Sequence, residues 1–287
     1  MFWSARCSPG SRSSVLVTGL CALIYLLAVG WLVATQQTDL RVSADHDGTI
    51  PLWASWVPLV SILPLLGWCP ITWNPWPKSR RLVLETVIML GLGLLFPLLL
   101  AVIGVNDLSF TGLKLALLLI LPLVIFRLLR RSPDELRQAP ATRPAEGQVW
   151  PFIATVLWFV LTYFTSWKDL PPSPFGGQPV MLAGVLVVGF LLNALLEEVF
   201  YRVWLQTRLE RLLGLWPAIL VTSLTWSCWH VLLQGGQGWA TDLATTVAHQ
   251  GMQGLFVGLL WARSRRLAWP LSVHSALNAA PLLLPLF

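Results

Sequence analysis

The sequence predicts an all-α membrane protein, a bundle of about eight or nine transmembrane helices. Of its 287 residues, 56% are hydrophobic and only 11% are charged. Soluble domains are about 45–50% apolar and about 25% charged, so this composition excludes a water-soluble globule and a disordered chain. Apolar runs of about 20 residues recur along the chain, and each is long enough to cross a bilayer as a helix. Many of the 17 tryptophans lie at the edges of these runs, where amphipathic rings prefer the headgroup zone.

Nine apolar runs bounded by charged residues are the predicted spans. The second contains three prolines and the fourth is short and contains Lys114, so eight helices are the alternative. Residues 127–148 are rich in Arg, Pro and Ala, which predicts a cytoplasmic linker between N-terminal helices in residues 1–148 and a second domain in residues 149–287. The spans are Val15–Thr35, Pro51–Trp73, Leu82–Val105, Phe110–Phe126, Trp150–Trp167, Val180–Tyr201, Leu215–Gln234, Leu243–Ala262 and Ala268–Phe287.

Basic residues mark every other segment between the spans, which is typical of cytoplasmic loops. This alternation predicts a cytoplasmic N-terminus and, with no obvious organelle signal, favours a bacterial inner membrane. The first apolar run is longer than the core of a signal peptide, which predicts an uncleaved anchor. The net charge of +6 reflects this topology, and no basic patch is interleaved with aromatic residues, so we expect no nucleic-acid partner.

Ionisable side chains within apolar segments are candidates for function, because each costs at least about 2.5–3.5 kcal/mol on insertion scales. Nearly all of them lie in the second domain. They and their polar neighbours are Asn193, Glu197, Glu198 and Arg202 on the sixth span, His230 on the seventh, His249, Gln250 and Gln253 on the eighth, and His274 and Asn278 on the ninth.

The two adjacent glutamates of the sixth span face different directions on a helix. Glu198 and Arg202 stand one turn apart on one face, which predicts an ion pair with a structural role. Glu197 is rotated away and has no cation in helical register. Unless another helix supplies a partner, this carboxylate is suited to general base catalysis. The alternative is a helix end whose charged side chains reach into the headgroups.

The histidines of the seventh and ninth spans complete a pattern typical of hydrolysis by activated water. His230 could orient a water, and His274 and Asn278, spaced i, i+4, could both donate to one oxygen. Each of these residues could instead serve helix packing alone. Nucleophile motifs such as GxSxG are absent, although Ser227 shares a face with His230 and stays open as a serine nucleophile.

Three short motifs resemble those of the CPBP intramembrane protease family, which includes the type II CAAX prenyl endopeptidases and Abi-type proteins. They are EExxxR at Glu197–Arg202, an aromatic residue followed by xxx-His at Trp226–His230, and HxxxN at His274–Asn278. The order and spacing fit, and the similarity covers about Val180–Pro285. The preceding helices carry no motif of the family.

The resemblance implies an intramembrane endopeptidase that cleaves a peptide bond by attack of an activated water. Trp226 stands where the family usually has Phe, and we expect this change to alter packing rather than chemistry. The implied catalytic roles are activation of water by Glu197 and His230, support by Glu198 with Arg202, and an oxyanion hole formed by His274 with Asn278.

The resemblance leaves the metal question open, because members have been described both as metalloproteases and as glutamate-type proteases. Glu197, His230 and His274 could hold zinc with an open fourth position, and His249 could be a further ligand. No two of these residues have a metal-binding helical spacing such as His-xxx-His. We therefore expect no cofactor, with zinc as the alternative.

The expected partners are the lipid bilayer and a peptide or protein substrate, either lipidated, as in a prenylated CAAX tail, or carrying a C-terminal sorting tail. Two other functions compete with proteolysis. One is a non-catalytic relative that acts in immunity or as a scaffold, although no motif residue is missing. The other is a proton-coupled transporter, which would favour internal symmetry that the sequence lacks.

The predicted spans raise one geometric problem. Glu197 would lie near the cytoplasmic end of the sixth helix, whereas His230 would lie beyond the middle of the seventh. At about 1.5 Å per residue, the two would be about 15 Å apart along the helix axes. We therefore predict that the sixth helix continues past Arg202 toward Glu210 and ends at Gly214.

Overall fold

The computed structural model describes residues 12–41, 49–68, 79–129, 148–164, 173, 175, 177–234 and 236–286. Within these residues the protein is an all-α helical bundle of nine helices, as predicted. Most of the predicted linker, residues 130–147, lies outside the described residues, as do parts of the second and fifth predicted spans.

The helices closely follow the predicted spans, and most differ from them by a few residues at either end. A short antiparallel hairpin of β1 (Asp39–Arg41) and β2 (Thr49–Pro51) follows the first helix, with Leu40 paired to Ile50. The helices are α1 (Arg12–Ala34), α2 (Val57–Trp68), α3 (Arg80–Ile103), α4 (Asp107–Leu128), α5 (Val149–Tyr163), α6 (Pro179–Leu213), α7 (Leu215–Leu233), α8 (Trp239–Thr246 continued by Val247–Gly251 and Met252–Ser264) and α9 (Ala268–Leu283).

Five of these helices, α1, α3, α4, α6 and α7, are long and apolar enough to cross a membrane. Helices α2 and α5 belong to shorter apolar segments, Leu52–Leu66 and Val149–Tyr163. The protein is therefore an integral membrane protein, with large apolar side chains exposed along the outer faces of these helices. The orientation of its N-terminus and its bacterial origin stay predictions.

Helix α6 runs well past Arg202 and ends at Leu213, as the geometric problem in the sequence required. Gly214 follows it with φ of 94°, a backbone conformation that favours glycine because a Cβ is strained there. Wide helical turns, with hydrogen bonds between residues five apart, occupy Gly189–Leu195 and Val199–Gln206, on either side of Leu196–Glu198. Such turns are rare and frequently mark functional sites.

The N-terminal helices pack directly on the helices of the second predicted domain. The Tyr25 hydroxyl of α1 donates to the Gly251 carbonyl of α8 at 3.1 Å. Phe96 of α3 and Leu118 of α4 share a buried cluster with Phe200 of α6. Helices α3 and α4 therefore form one wall around the middle of α6. The division of the chain into two domains at residue 148 stays a prediction.

Candidate active site

Five charged or ionisable side chains converge in the interior of the bundle, and we call them the site cluster. Lys114 and Arg202 are fully buried, and the exposed fraction of the other three is at most 4%. Burying isolated charges in an apolar interior is unfavourable, so the members must be paired with one another. The cluster consists of Lys114 on α4, Glu197, Glu198 and Arg202 on α6, and His274 on α9.

Glu198 lies between two partners. Its Oε2 is 3.3 Å from Arg202 Nε, one turn further along α6, which confirms the ion pair predicted from their spacing. Its Oε1 is 2.8 Å from His274 Nδ1. A carboxylate at Nδ1 fixes the orientation of the imidazole ring, so Glu198 connects the motif of α6 to the motif of α9.

Glu197 faces away from this pair, as its helical position predicted, and its partners come from other helices. The Trp226 indole Nε1 donates to Glu197 Oε2 at 2.6 Å. Lys114 Nζ lies 2.5 Å from Glu197 Oε1. His274 Nε2 is 4.0 Å from Glu197 Oε2. The two glutamates therefore contact the same imidazole ring from its two nitrogens.

Trp226 does more than the sequence comparison suggested. Besides its packing, its indole N–H is a hydrogen-bond donor to Glu197, a contact that phenylalanine could not make; the expectation that the change leaves the chemistry unaltered stays a prediction. The indole also meets the rings of His230 and His274 edge to face, with centroids 4.9 and 5.5 Å apart. Trp226 therefore contacts three predicted site residues, Glu197, His230 and His274.

His230 lies beside the cluster on α7. Its Nδ1 is 3.2 Å from the Trp226 carbonyl oxygen, and its ring stacks on Trp229 with centroids 3.7 Å apart. The ring also meets the Trp226 indole, which donates to Glu197. The predicted axial separation from Glu197 is therefore absent, because α6 extends further than the apolar run indicated.

Asn278 lies one turn after His274 on α9. Its Nδ2 is buried and has no hydrogen-bond partner among the described residues. A buried amide donor without a partner is costly and is found where a ligand or water binds.

The polar residue Gln253 of helix α8 is bonded outside the site cluster, because it accepts a hydrogen bond from Trp158 of α5 at 2.9 Å.

The sequence assigns no role to Lys114 of the site cluster or to its hydrogen-bond partner Asn193. Lys114 lay near the edge of a short predicted span, yet the structure places it in the interior with no exposed surface. Asn193, one turn before Glu197, accepts a hydrogen bond from Lys114 Nζ at 2.7 Å. The rule that a charge inside an apolar segment marks function would have found Lys114.

The candidate metal ligands do not form a metal site in the described part of the chain. Nowhere in it do three His, Cys, Asp or Glu side chains have an arrangement that could hold a metal ion. Both carboxylate oxygens of Glu197 already contact nitrogen donors, Lys114 and Trp226. Among the described residues, the set Glu197, His230 and His274, with or without His249, is therefore not preorganised around a common metal position, and the absence of a metal stays a prediction.

Residues 178–280 match the family model described as Type II CAAX prenyl endopeptidase Rce1-like. The chain carries an Rce1-like domain. All three motifs, and with them every site residue predicted from the sequence, lie within the matched segment, whereas Lys114 lies outside it. Searches among curated proteins and among solved structures give no significant match. The Rce1-like domain supports a function of the CAAX-type intramembrane protease kind.

Proposed function

We propose that the protein is an intramembrane endopeptidase that hydrolyses a peptide bond with a water activated by Glu197 and His230. One observation carries the proposal: two adjacent carboxylates, buried in an apolar bundle, meet the same imidazole of another helix. Ionisable groups arranged in this way are expensive in a membrane protein and are typical of catalytic sites.

Glu197 has the position of a general base. Trp226 donates to one of its oxygens and Lys114 is ion-paired with the other, and a carboxylate offers about four acceptor sites, so Glu197 has capacity to accept a hydrogen bond from water. In the proposed reaction the water oxygen bonds to the carbonyl carbon while Glu197 accepts a water proton. The carbonyl oxygen becomes an oxyanion. When the C–N bond breaks, the proton moves to the leaving nitrogen, and one water has been consumed.

Asn278 and His274 are the proposed oxyanion donors. The Nδ2 group of Asn278 is buried and unpartnered, as expected of a donor that waits for a substrate oxygen. His274 already has Glu198 at Nδ1, so it donates from Nε2 only when both ring nitrogens carry protons.

We propose a membrane-associated substrate with a C-terminal tail, because the site lies within the bundle and the Rce1-like domain is of the CAAX-type protease kind. Two classes of tail fit this proposal. One is a lipidated tail such as a prenylated CAAX sequence, and the other is an unmodified sorting tail.

The test uses the purified full chain in liposomes with two fluorogenic peptides, one farnesylated at a CAAX cysteine and one unmodified. The variant Glu197→Gln removes the base, and we expect kcat to fall about 100- to 10,000-fold. The matched control is Glu85→Gln, which neutralises a buried carboxylate outside the site cluster. Equal activity of Glu197→Gln and the wild-type protein would refute the proposal.

A second measurement identifies natural substrates. Membrane peptides from cells that express Glu197→Gln are compared by mass spectrometry with those from the parent strain. We expect at least one membrane protein to accumulate uncut in the variant. If no peptide differs and neither fluorogenic peptide is cleaved, the protein is a non-catalytic relative.

A further inference from the structure

Lys114 is the one member of the site cluster that lies outside the segment matching the Rce1-like family. It lies on α4, whose start is fixed by a capping box in which the Asn106 side chain accepts from the Ser109 backbone N–H. Its side chain is fully buried, although lysine is almost never fully buried unless it is paired. A specific set of partners must therefore compensate for its desolvation.

The ammonium group connects two polar residues of α6. Lys114 Nζ is 2.5 Å from Glu197 Oε1 and donates to Asn193 Oδ1 at 2.7 Å. Asn193 and Glu197 stand one turn apart, so the ammonium bridges them along one face of α6. The contact with Asn193 holds the ammonium in place, and the ammonium in turn restricts the orientation of the Glu197 carboxylate.

Aromatic rings close the remaining side of the ammonium. Lys114 Nζ lies 4.4 Å from the centroid of Phe110 and 4.9 Å from that of Trp229. Both distances are within the range of cation–π attraction. Trp229 in turn stacks on His230. Lys114 therefore contacts Glu197 directly and His230 through one intervening ring.

The formal charges of the cluster also depend on Lys114. Glu197 and Glu198 contribute two negative charges, and Arg202 and Lys114 contribute two positive charges, so the group is neutral when His274 is neutral. Without Lys114, one carboxylate would be buried without a balancing cation. Removal of one partner of a buried ion pair typically costs about 3–5 kcal/mol.

We propose that Lys114 is a positioning residue of the site, contributed by the N-terminal helices, that holds the Glu197 carboxylate in the orientation required to accept a proton from water. This role rests on the proposed peptidase function. It also gives α4 a function, because the fourth helix supplies a charge that the Rce1-like segment itself lacks at Glu197.

The first test separates kcat from KM for Lys114→Met with the fluorogenic peptides. We expect kcat to fall on the order of 100-fold with little change in KM, because misplacement of a catalytic group by about 1 Å has that effect. The matched control is Arg127→Met, which removes an exposed cation from the same helix. Wild-type kcat in Lys114→Met overturns the proposal while the peptidase function stands.

The second test does not depend on turnover. Thermal unfolding in detergent is compared for wild type, Lys114→Met, Glu197→Gln and the double variant. Because the double variant removes both charges, we expect it to be more stable than the sum of the two single losses predicts. If Lys114→Met fails to fold, recovery of the fold in the double variant supports the pairing. Additive losses overturn it.

The two tests distinguish the two possible failures. If the wild-type protein cleaves neither peptide and no membrane peptide accumulates in Glu197→Gln, but the stability losses are non-additive, the ion pair exists and the positioning role fails together with the proposed function. If the wild-type protein cleaves a peptide and the losses are additive, the peptidase function stands and the role of Lys114 is wrong.

Discussion

Two groups of buried charges include residues of helix α6, and they differ in how many of their polar atoms have hydrogen-bond partners. In the Glu85 cluster, formed by Arg81, Glu85 and Arg208, the two carboxylate oxygens of Glu85 lie 2.9 Å from the Nε atoms of the two arginines. The side chains of Arg81 and Arg208 keep 19% and 11% of their surface exposed. Charges that reach the surface in this way are cheap to maintain, so the Glu85 cluster anchors α3 to α6.

The site cluster is more costly. Its two cations, Lys114 and Arg202, have no exposed surface, and both Nη atoms of Arg202 have no hydrogen-bond partner among the described residues. Asn278 Nδ2 is also unpartnered. Partly satisfied polar networks destabilise a fold, and they persist where a ligand completes them. The two clusters therefore differ in the pairing of their buried polar atoms and not in the burial of their carboxylates.

The largest expected difference between the two clusters is in stability. Arg202→Met leaves Glu198 without its cation, and we expect the free energy of unfolding to fall by about 3–5 kcal/mol. Arg208→Met leaves Glu85 paired with Arg81, and we expect a loss of about 1–2 kcal/mol. Unfolding of both variants in mixed micelles measures the difference. Equal losses would mean that the two clusters have the same structural role.

A second prediction tests the unpartnered amide. We expect Asn278→Ala to lower kcat about 100- to 1,000-fold with KM nearly unchanged, because an oxyanion donor acts mainly in the transition state. Ser272→Ala, on the exposed side of α9, is the control and should retain wild-type kcat. A rise in KM alone would show that Asn278 binds substrate instead.

A third prediction concerns the indole donor. Trp226→Phe keeps an aromatic ring but removes the hydrogen bond to Glu197. A hydrogen bond to a charged group is worth about 1.5–3 kcal/mol, so we expect kcat to fall roughly 10- to 100-fold. Trp158→Phe, which removes a buried indole bond to Gln253 away from the cluster, is the matched control. The indole bond has no catalytic role if both variants keep full activity.

The smallest expected effect is that of a chelator. The proposed ligands do not form a metal site as arranged, so we expect incubation with EDTA or phenanthroline to leave peptide cleavage unchanged. Cleavage that is lost on chelation and restored by added zinc would require Glu197, His230 and His274 to rearrange around a metal. It would also remove Glu197 as the proposed base.

Contacts within one helix were predictable from the sequence. Glu198 and Arg202 pair because residues four apart on a helix are neighbours, and Glu197 faces elsewhere for the same reason. The extension of α6 to Leu213 was predictable because Gly214 is a typical helix terminator and because the motif residues had to lie at one level. Local spacing therefore determined the arrangement of each motif.

Contacts between helices were harder to predict from the sequence than contacts within one helix. The sequence placed Lys114 near the edge of a weak span, and it treated Trp226 as a packing residue. The sequence did not reveal that both side chains contact Glu197, because such contacts depend on which helices are neighbours and how each is rotated, and apolar periodicity does not encode either property. A lysine of α4 meets Glu197 only because α4 packs against α6 through side chains that carry no motif.

By itself, the sequence determined that the chain is a helical membrane protein, and it picked out the ionisable side chains of α6 and α9 that the structure buries together, because hydropathy and helical spacing act over a few residues. Only the tertiary structure decided which charges balance each other. The cation of Glu197 comes from a distant helix, and the imidazole that both glutamates share comes from another. Electrostatic pairing in a low-dielectric interior depends on distances of a few ångströms, and the packing of helices alone sets those distances.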